Sequence, residues 1–287
     1  MMHLKVFLIL VLFIISCSSC SWKDPNCACN EVTPEQQATW QELNKSVVDL
    51  YTKGKIEEAI SKADKTLDFA KKIFGPNHNY VATSLNNIGE LYRLQKNYPK
   101  AESIFKEALE IREKALGKEH PDIVISLNNL ATVYSSEKKY NKAEPLYKRA
   151  INIVEKKLSE NHPSLLTPLT NLGELYKIQQ KYKEAEPIYK KILVFNEKNT
   201  GKESPAYAKS LNDLAAIYFL LKKYKDAEGL FTQTLAILEK KLGPTSPDIA
   251  VVLENLAEVY KKTGDQNKAK TYGERAANIK VKSQLTS

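Results

Sequence analysis

Beyond residue 29 the chain has no cysteine. Its four cysteines are Cys17, Cys20, Cys27 and Cys29, so neither a disulfide scaffold nor a thiolate metal centre can hold the remaining 258 residues together. Helix breakers are also scarce: 10 Gly and 12 Pro, most of the latter at regular intervals, leave long uninterrupted stretches. Only four His are present, and His78, His120 and His162 stand 42 residues apart in equivalent turns, which reads as punctuation rather than a catalytic or metal-binding cluster. No HExxH pair, nucleophile elbow or phosphate-cradling Gly-rich loop occurs, and the sequence points to no enzyme. The one long apolar run, Val6 to Ile15, has ten residues, whereas a membrane-spanning helix needs about 20. What is present is 43% hydrophobic and 27% charged, close to globular averages, and is dominated by Lys, Glu, Leu, Ala and Asn. The net charge of +9 comes mostly from pairs such as Lys71-Lys72, Lys156-Lys157, Lys190-Lys191 and Lys240-Lys241, which Glu residues offset at helical spacing. That pattern is a solvated outer face, to which anionic lipid could add some attraction. No aromatic-basic stacking pattern accompanies the charge, and export would separate the chain from nucleic acid, so nucleic acid is not an expected partner.

The N-terminus follows a different logic. Lys5 precedes the apolar run, and the run leads into Ile14-Ile15-Ser16-Cys17. A short apolar stretch behind a positive charge is the h-region of an export signal. The tetrapeptide resembles a bacterial lipobox, which implies cleavage before Cys17 and lipidation of that residue. Ser18, in place of Asp, implies outer-membrane sorting in a Gram-negative cell. The alternative is an ordinary signal peptide cut between Cys17 and Ser21. Residues 1–16 are expected to be a lipoprotein-type signal peptide, and residues 17–38 a Cys-containing tether. With Cys17 lipidated, three cysteines remain, an odd number that invites one disulfide and one free or intermolecular thiol. No His or fourth thiol completes a metal site around Cys20, Cys27 and Cys29, and no metal or other cofactor is expected.

Self-comparison of the rest reveals a period of 42. Ala59, Ala101, Ala143, Ala185, Ala227 and Ala269 form one column, and Tyr92, Tyr134, Tyr176, Tyr218 and Tyr260 another, with Tyr51 one residue out of phase. Small residues three positions before each Tyr make a third column: Gly89, Ala131, Gly173, Ala215 and Ala257. Within a unit, Leu85, Ile88, Leu91 and Tyr92 mark the stripe of one helix, and Ala101, Ile104, Phe105, Ala108 and Ile111 the stripe of a second. Gln95-Lys96-Asn97 supplies the turn between them. Gly117 is placed to end the second helix in a left-handed conformation, and Pro121 opens the next unit. The small columns are expected where the two helices cross closely, with Tyr92 filling the space beside them. The first unit is expected to be one residue short in its turn, and the polar end from Lys280 to Ser287 to cap the array. Six such units, near 39–80, 81–122, 123–164, 165–206, 207–248 and 249–287, make an all-α solenoid over residues 39–287.

Stretches such as Ala143-Glu144-Pro145-Leu146-Tyr147-Lys148-Arg149-Ala150 and Ser126-Leu127-Asn128-Asn129-Leu130-Ala131 resemble the 42-residue tetratricopeptide repeats of kinesin light chain. The resemblance implies a right-handed superhelix whose concave groove is lined by the first helix of each pair. Two polar columns recur on that helix: Asn86, Asn128, Thr170, Asn212 and Glu254, then Asn87, Asn129, Asn171, Asp213 and Asn255. Asn is a poor helix former, so its recurrence needs a reason. Similarity to the family implies that Asn86, Asn87, Asn128, Asn129, Asn171, Asn212, Asp213 and Asn255 grip the backbone of an extended peptide in the groove. The alternative is that these amides bridge adjacent helices. Glu90, Thr132, Glu174, Ala216 and Glu258 lie one turn along, followed by Arg93, Ser135, Lys177, Phe219 and Lys261. Clustered basic residues, which a carboxylate clamp needs, are represented only by Lys209, so a neutral or basic segment is the expected ligand.

The sequence thus reads as a non-catalytic protein-interaction scaffold of the bacterial cell envelope, exported and fixed to a membrane through lipidated Cys17. A soluble secreted interaction protein and a self-associating structural array are the alternatives.

Overall fold

The computed structural model describes residues 32–285. The described residues form twelve α-helices: α1 Pro34–Thr52, α2 Ile56–Phe74, α3 Asn79–Leu94, α4 Tyr98–Leu116, α5 Ile123–Ser136, α6 Tyr140–Lys157, α7 Leu166–Ile178, α8 Tyr182–Thr200, α9 Pro205–Leu220, α10 Tyr224–Leu242, α11 Pro247–Thr263 and α12 Gln266–Leu285. Each helix packs against the one before it and the one after it, in the manner of a solenoid of helix pairs. The helix α1 begins at Pro34, capped by Thr33 and Gln36 in a reciprocal capping box, so residues 34–38 of the expected tether are helical. The expected boundary between the first two units, after residue 80, falls within the first turn of α3.

The punctuation between repeats has a chemical basis. The Nδ1 atoms of His78, His120 and His162 accept the N–H groups of Tyr80, Asp122 and Ser164 at 3.1, 3.2 and 3.2 Å, satisfying amides that a starting helix leaves orphaned. Ser204 does the same in its repeat, accepting from Tyr207 N–H at 3.0 Å. Gly75, Gly117, Gly201 and Gly243 end the second helices at φ 81° to 86°, with ψ of 155° to 159°. This corrects the left-handed helical cap expected at Gly117: the chain extends at positive φ, a region essentially confined to Gly. Ser159 holds this column between the third and fourth repeats. There α6 ends one residue early at Lys157, and a 3-10 turn, Pro163–Leu165, precedes α7.

The turns inside the repeats all have one length, which corrects the expectation of a shortened first turn. Lys55 N–H reaches Leu50 O at 3.0 Å just as Asn97 N–H reaches Tyr92 O at 2.9 Å, and Gly54 and Lys96 both take positive φ. Leu50 occupies the Tyr column, and Tyr51 is simply its neighbour. The positive-φ residue recurs every 42 positions as Gly54, Lys96, Lys138, Gln180, Lys222 and Gly264, with φ between 57° and 92°.

The small columns sit where the helices cross. A Cβ on Gly89 would meet the Phe105 ring at 2.8 Å, and one on Gly173 the Tyr189 ring at 3.1 Å. Phe105, Tyr147, Tyr189 and Phe231, one in each of the second to fifth repeats, are buried opposite Gly89, Ala131, Gly173 and Ala215. The first repeat inverts the pair, with Val47 on α1 and Ala63 on α2, both buried. The Tyr hydroxyls link repeats: Tyr134, Tyr176 and Tyr260 donate to Glu102, Glu144 and Glu228 of the preceding repeat at 3.1, 3.0 and 2.7 Å.

One buried charge lay outside what the repeat pattern suggests. Arg112, 3% exposed, donates to Asn79 Oδ1, Ser126 Oγ and Thr83 Oγ1 at 2.9, 2.7 and 2.9 Å, across the joint between the second and third repeats. Burial lowers its pKa to about 10, partly countered by Asp122.

Candidate functional site

The first helices of successive repeats touch one another (α1 with α3, α3 with α5, α5 with α7, α9 with α11), whereas the second helices do not approach as closely. The first helices therefore lie on the inside of the bend and supply its concave face. The expected amide columns lie on them, and the structure sorts those residues into two groups. Asn87 Nδ2 donates to Asn44 Oδ1 at 2.5 Å, Asn171 to Asn128 at 2.9 Å and Asn255 to Asn212 at 3.3 Å, each bond joining neighbouring first helices. Asn44 was absent from the expected site, although it stands 42 residues before Asn86 and the period alone could have found it. The remaining expected residues are not drawn into this ladder. Asn86 is buried, donates to Ser126 Oγ at 3.2 Å and leaves its Oδ1 without a partner. Asn129 is half-buried and makes no side-chain hydrogen bond among the described residues. Asp213 accepts from Lys209 at 2.6 Å, which ties up the one basic residue considered for a carboxylate clamp.

The amides thus do bridge helices, and they retain capacity. A primary amide offers two donors and a carbonyl acceptor. Each bonded pair spends one donor and one acceptor, leaving the Oδ1 atoms of Asn87, Asn171 and Asn255 on the half-buried surface. The charges one turn along are neutralised within their own helices. Arg93 grips Glu90 through two bonds of 2.7 and 2.6 Å, which hold its pKa above the ordinary guanidinium value. Lys177 pairs with Glu174 at 2.6 Å, and Lys261 with Glu258 at 2.5 Å. Tyr189 Oη also donates to Glu174 at 2.7 Å, and burial together with this bond holds its pKa well above the usual phenol range. In the third repeat Thr132 Oγ1 meets Tyr147 Oη at 3.1 Å, with no charge involved, and burial pushes the Tyr147 pKa up to about 12.

No group of three or more His, Cys, Asp or Glu able to hold a metal lies among the described residues, and no described helix is long and apolar enough to cross a membrane. The expected signal segment, Cys17 and the remaining cysteines lie outside the described residues.

The tetratricopeptide repeat model matches residues 43–114, 80–156, 122–198, 164–240 and 206–280 in overlapping pairs of repeats. No curated protein sequence matches the chain. Among solved structures, the chain resembles BtubC (BKLC) from P. vanneervenii, with 25% identity, a TM-score of 0.67, and 80% of this chain and 92% of that one covered. It is also similar to a putative kinesin light chain of Podosopora anserina with nearly identical repeats: 25% identity, TM-score 0.65, and 72% and 98% of the two chains covered. RapI in its apo form shares the fold at 14% identity and a TM-score of 0.60 over 86% of this chain and 99% of its own. Arrays of this kind are protein-interaction scaffolds and generally bind protein or peptide partners. With matched repeats from residue 43 to residue 280, the chain belongs to the tetratricopeptide repeat family.

Proposed function

We propose that this protein is a non-catalytic scaffold of the bacterial cell envelope, which holds an extended segment of a partner protein in its concave groove. Its N-terminus carries an export signal, and lipidated Cys17 fixes the solenoid at a membrane, the outer one in a Gram-negative cell. The observation that carries the groove reading is the half-bonded amide ladder. Asn87, Asn171 and Asn255 keep acceptors on the concave face, and Asn129 keeps its whole amide. An amide satisfies a peptide bond without reading the side chain attached to it, which suits a groove that takes backbone.

Affinity capture from native membranes with the wild-type chain and an Asn129→Ala/Asn171→Ala variant tests the groove. A partner retained by the first and lost by the second, at an unchanged unfolding midpoint, is the expected result. Equal retention would place the contact on another surface. Cys17→Ser tests the anchor separately: the variant should leave the membrane fraction, and a protein that stays there, or one that was never there, contradicts lipidation.

A further inference from the structure

The concave face repeats with a period of two units, not one. In the second, fourth and sixth repeats the positions one turn beyond the amides hold an acid and a base three residues apart: Glu90 with Arg93, Glu174 with Lys177, Glu258 with Lys261. In the first, third and fifth repeats the same positions carry no charge: Val48 with Tyr51, Thr132 with Ser135, Ala216 with Phe219. The amide ladder keeps the same rhythm. Its bonds join the first repeat to the second, the third to the fourth and the fifth to the sixth. At the joint between second and third the amide of Asn86 turns instead to Ser126, and at the joint between fourth and fifth Thr170 replaces Asn while Asp213 binds Lys209. A shallow depression, no larger than about one water molecule, lies at the first uncharged position between Val47, Val48, Tyr51, Asn87, Glu90 and Leu91. At the fifth, Phe219 is half-exposed beside Tyr224, and Leu220 is 42% exposed.

From this alternation we infer that the groove reads its partner once every two repeats, and that the partner is an extended, nearly uncharged protein segment carrying apolar side chains at that interval. The inference rests on the groove reading above and adds the chemistry and spacing of the ligand. Charge decides the class. The acids and bases of the even repeats neutralise one another and present no unpaired counter-charge to attract a charged partner residue, whereas the odd positions can be covered by an apolar side chain without burying a charge. Spacing follows from geometry. Helices in contact lie about 9 Å apart, so two repeats span roughly 18 Å, which an extended chain at about 3.3 Å per residue covers in five or six residues.

Displayed random 16-residue peptides selected on the full-length chain test this directly. Enriched sequences should have a net charge near zero and pairs of apolar residues five or six positions apart. Enrichment of acidic or basic clusters, or of sequences without that spacing, overturns the inference. Sequences matching residues 1–31 of this chain would make its own N-terminus the occupant and overturn it as well. Fluorescence anisotropy with a selected peptide then separates the positions. Ala216→Glu with Phe219→Lys converts an odd position into the sealed pair of its neighbours and should weaken binding roughly tenfold or more. Glu174→Gln with Lys177→Gln should leave binding within roughly twofold. Equal losses from both variants, or none from the first, contradict the two-repeat reading. If binding survives the first variant yet is lost in Asn129→Ala/Asn171→Ala, the groove stands and only its spacing falls. If neither variant affects it, the groove itself is not the site.

Discussion

At position 89 the absence of one methyl group sets how closely α3 and α4 approach. Adding it in Gly89→Ala brings Cβ to 2.8 Å from a fully buried Phe105 ring that has no room to retreat. Overpacking of this kind costs about 1–3 kcal/mol, more than the roughly 1 kcal/mol that Ala gains over Gly in a helix. Gly229 is the control. Its Cβ would meet nothing within 4 Å, so Gly229→Ala should raise stability by about 0.5–1 kcal/mol. Opposite shifts of the urea midpoint are therefore expected, and shifts of the same sign would contradict the crossing geometry. The turn residues make a second case. Lys138 sits at φ 60°, where the first and last repeats use Gly. The left-handed conformation costs a side chain about 1–2 kcal/mol, and Gly loses about 0.4–1 kcal/mol through its freer unfolded chain. Lys138→Gly should thus stabilise by roughly 0.5 kcal/mol by the difference.

At the scale of the helix, the inter-repeat turns depend on caps, and one cap is coupled to pH. His78 must be neutral at Nδ1 to accept from Tyr80 N–H, and it lies among the rings of Phe74 and Tyr80. Burial lowers its pKa in the folded protein below the ordinary 6.5. Between those two values the unfolded chain binds more protons than the folded one, so stability falls as pH drops through 6.5 and is unaffected above it. His78→Asn keeps a capping oxygen but removes the titration. The midpoint of the wild type should fall further than that of the variant between pH 7.5 and pH 5.5. Equal falls would show that the cap does not titrate in this range. Ser159 shows the other end of the device: without Gly in this column the chain cannot extend at positive φ, and α6 gives up its last residue.

Across the whole molecule, ion pairs run from repeat to repeat on the second helices. Lys139, Lys181 and Lys223 reach back to Glu102, Glu144 and Glu186, while Arg149 and Lys191 reach Glu113 and Glu155. Lys71 with Glu107 continues the second series with its signs reversed. Exposed pairs of this kind contribute about 0–1 kcal/mol each, so the joints are held mainly by apolar burial. The buried Arg112 makes one joint particular. Removing residues 123–164 places Pro168 where Ser126 stood and strips a partner from a buried guanidinium, whereas removing residues 123–206 places Ser210 there. A lost charged hydrogen bond costs about 1.5–3 kcal/mol. The single deletion should therefore lower the unfolding midpoint by more than half of what the double deletion does. A strictly proportional loss would mean that Arg112 does not distinguish this joint.

The 42-residue columns alone determined the number of helices, their pairing, the small side of each crossing from the second repeat on and the helix that carries the amides, because a strict period repeats one face in every unit. The large side of the crossing, expected at Tyr92, is Phe105 and its equivalents. Leu50 misled the reading of the first turn, since a column followed by residue type slips when a repeat substitutes Leu for Tyr. Only the tertiary structure decided which amides bond to each other, because the bonds cross 43 residues and skip alternate joints. The same holds for Arg112, whose three acceptors lie on two different helices of two repeats. Spacing along one chain specifies which face a residue occupies. Which neighbour its polar atoms choose depends on the joint, where side chains of adjacent repeats compete for the same few donors and acceptors.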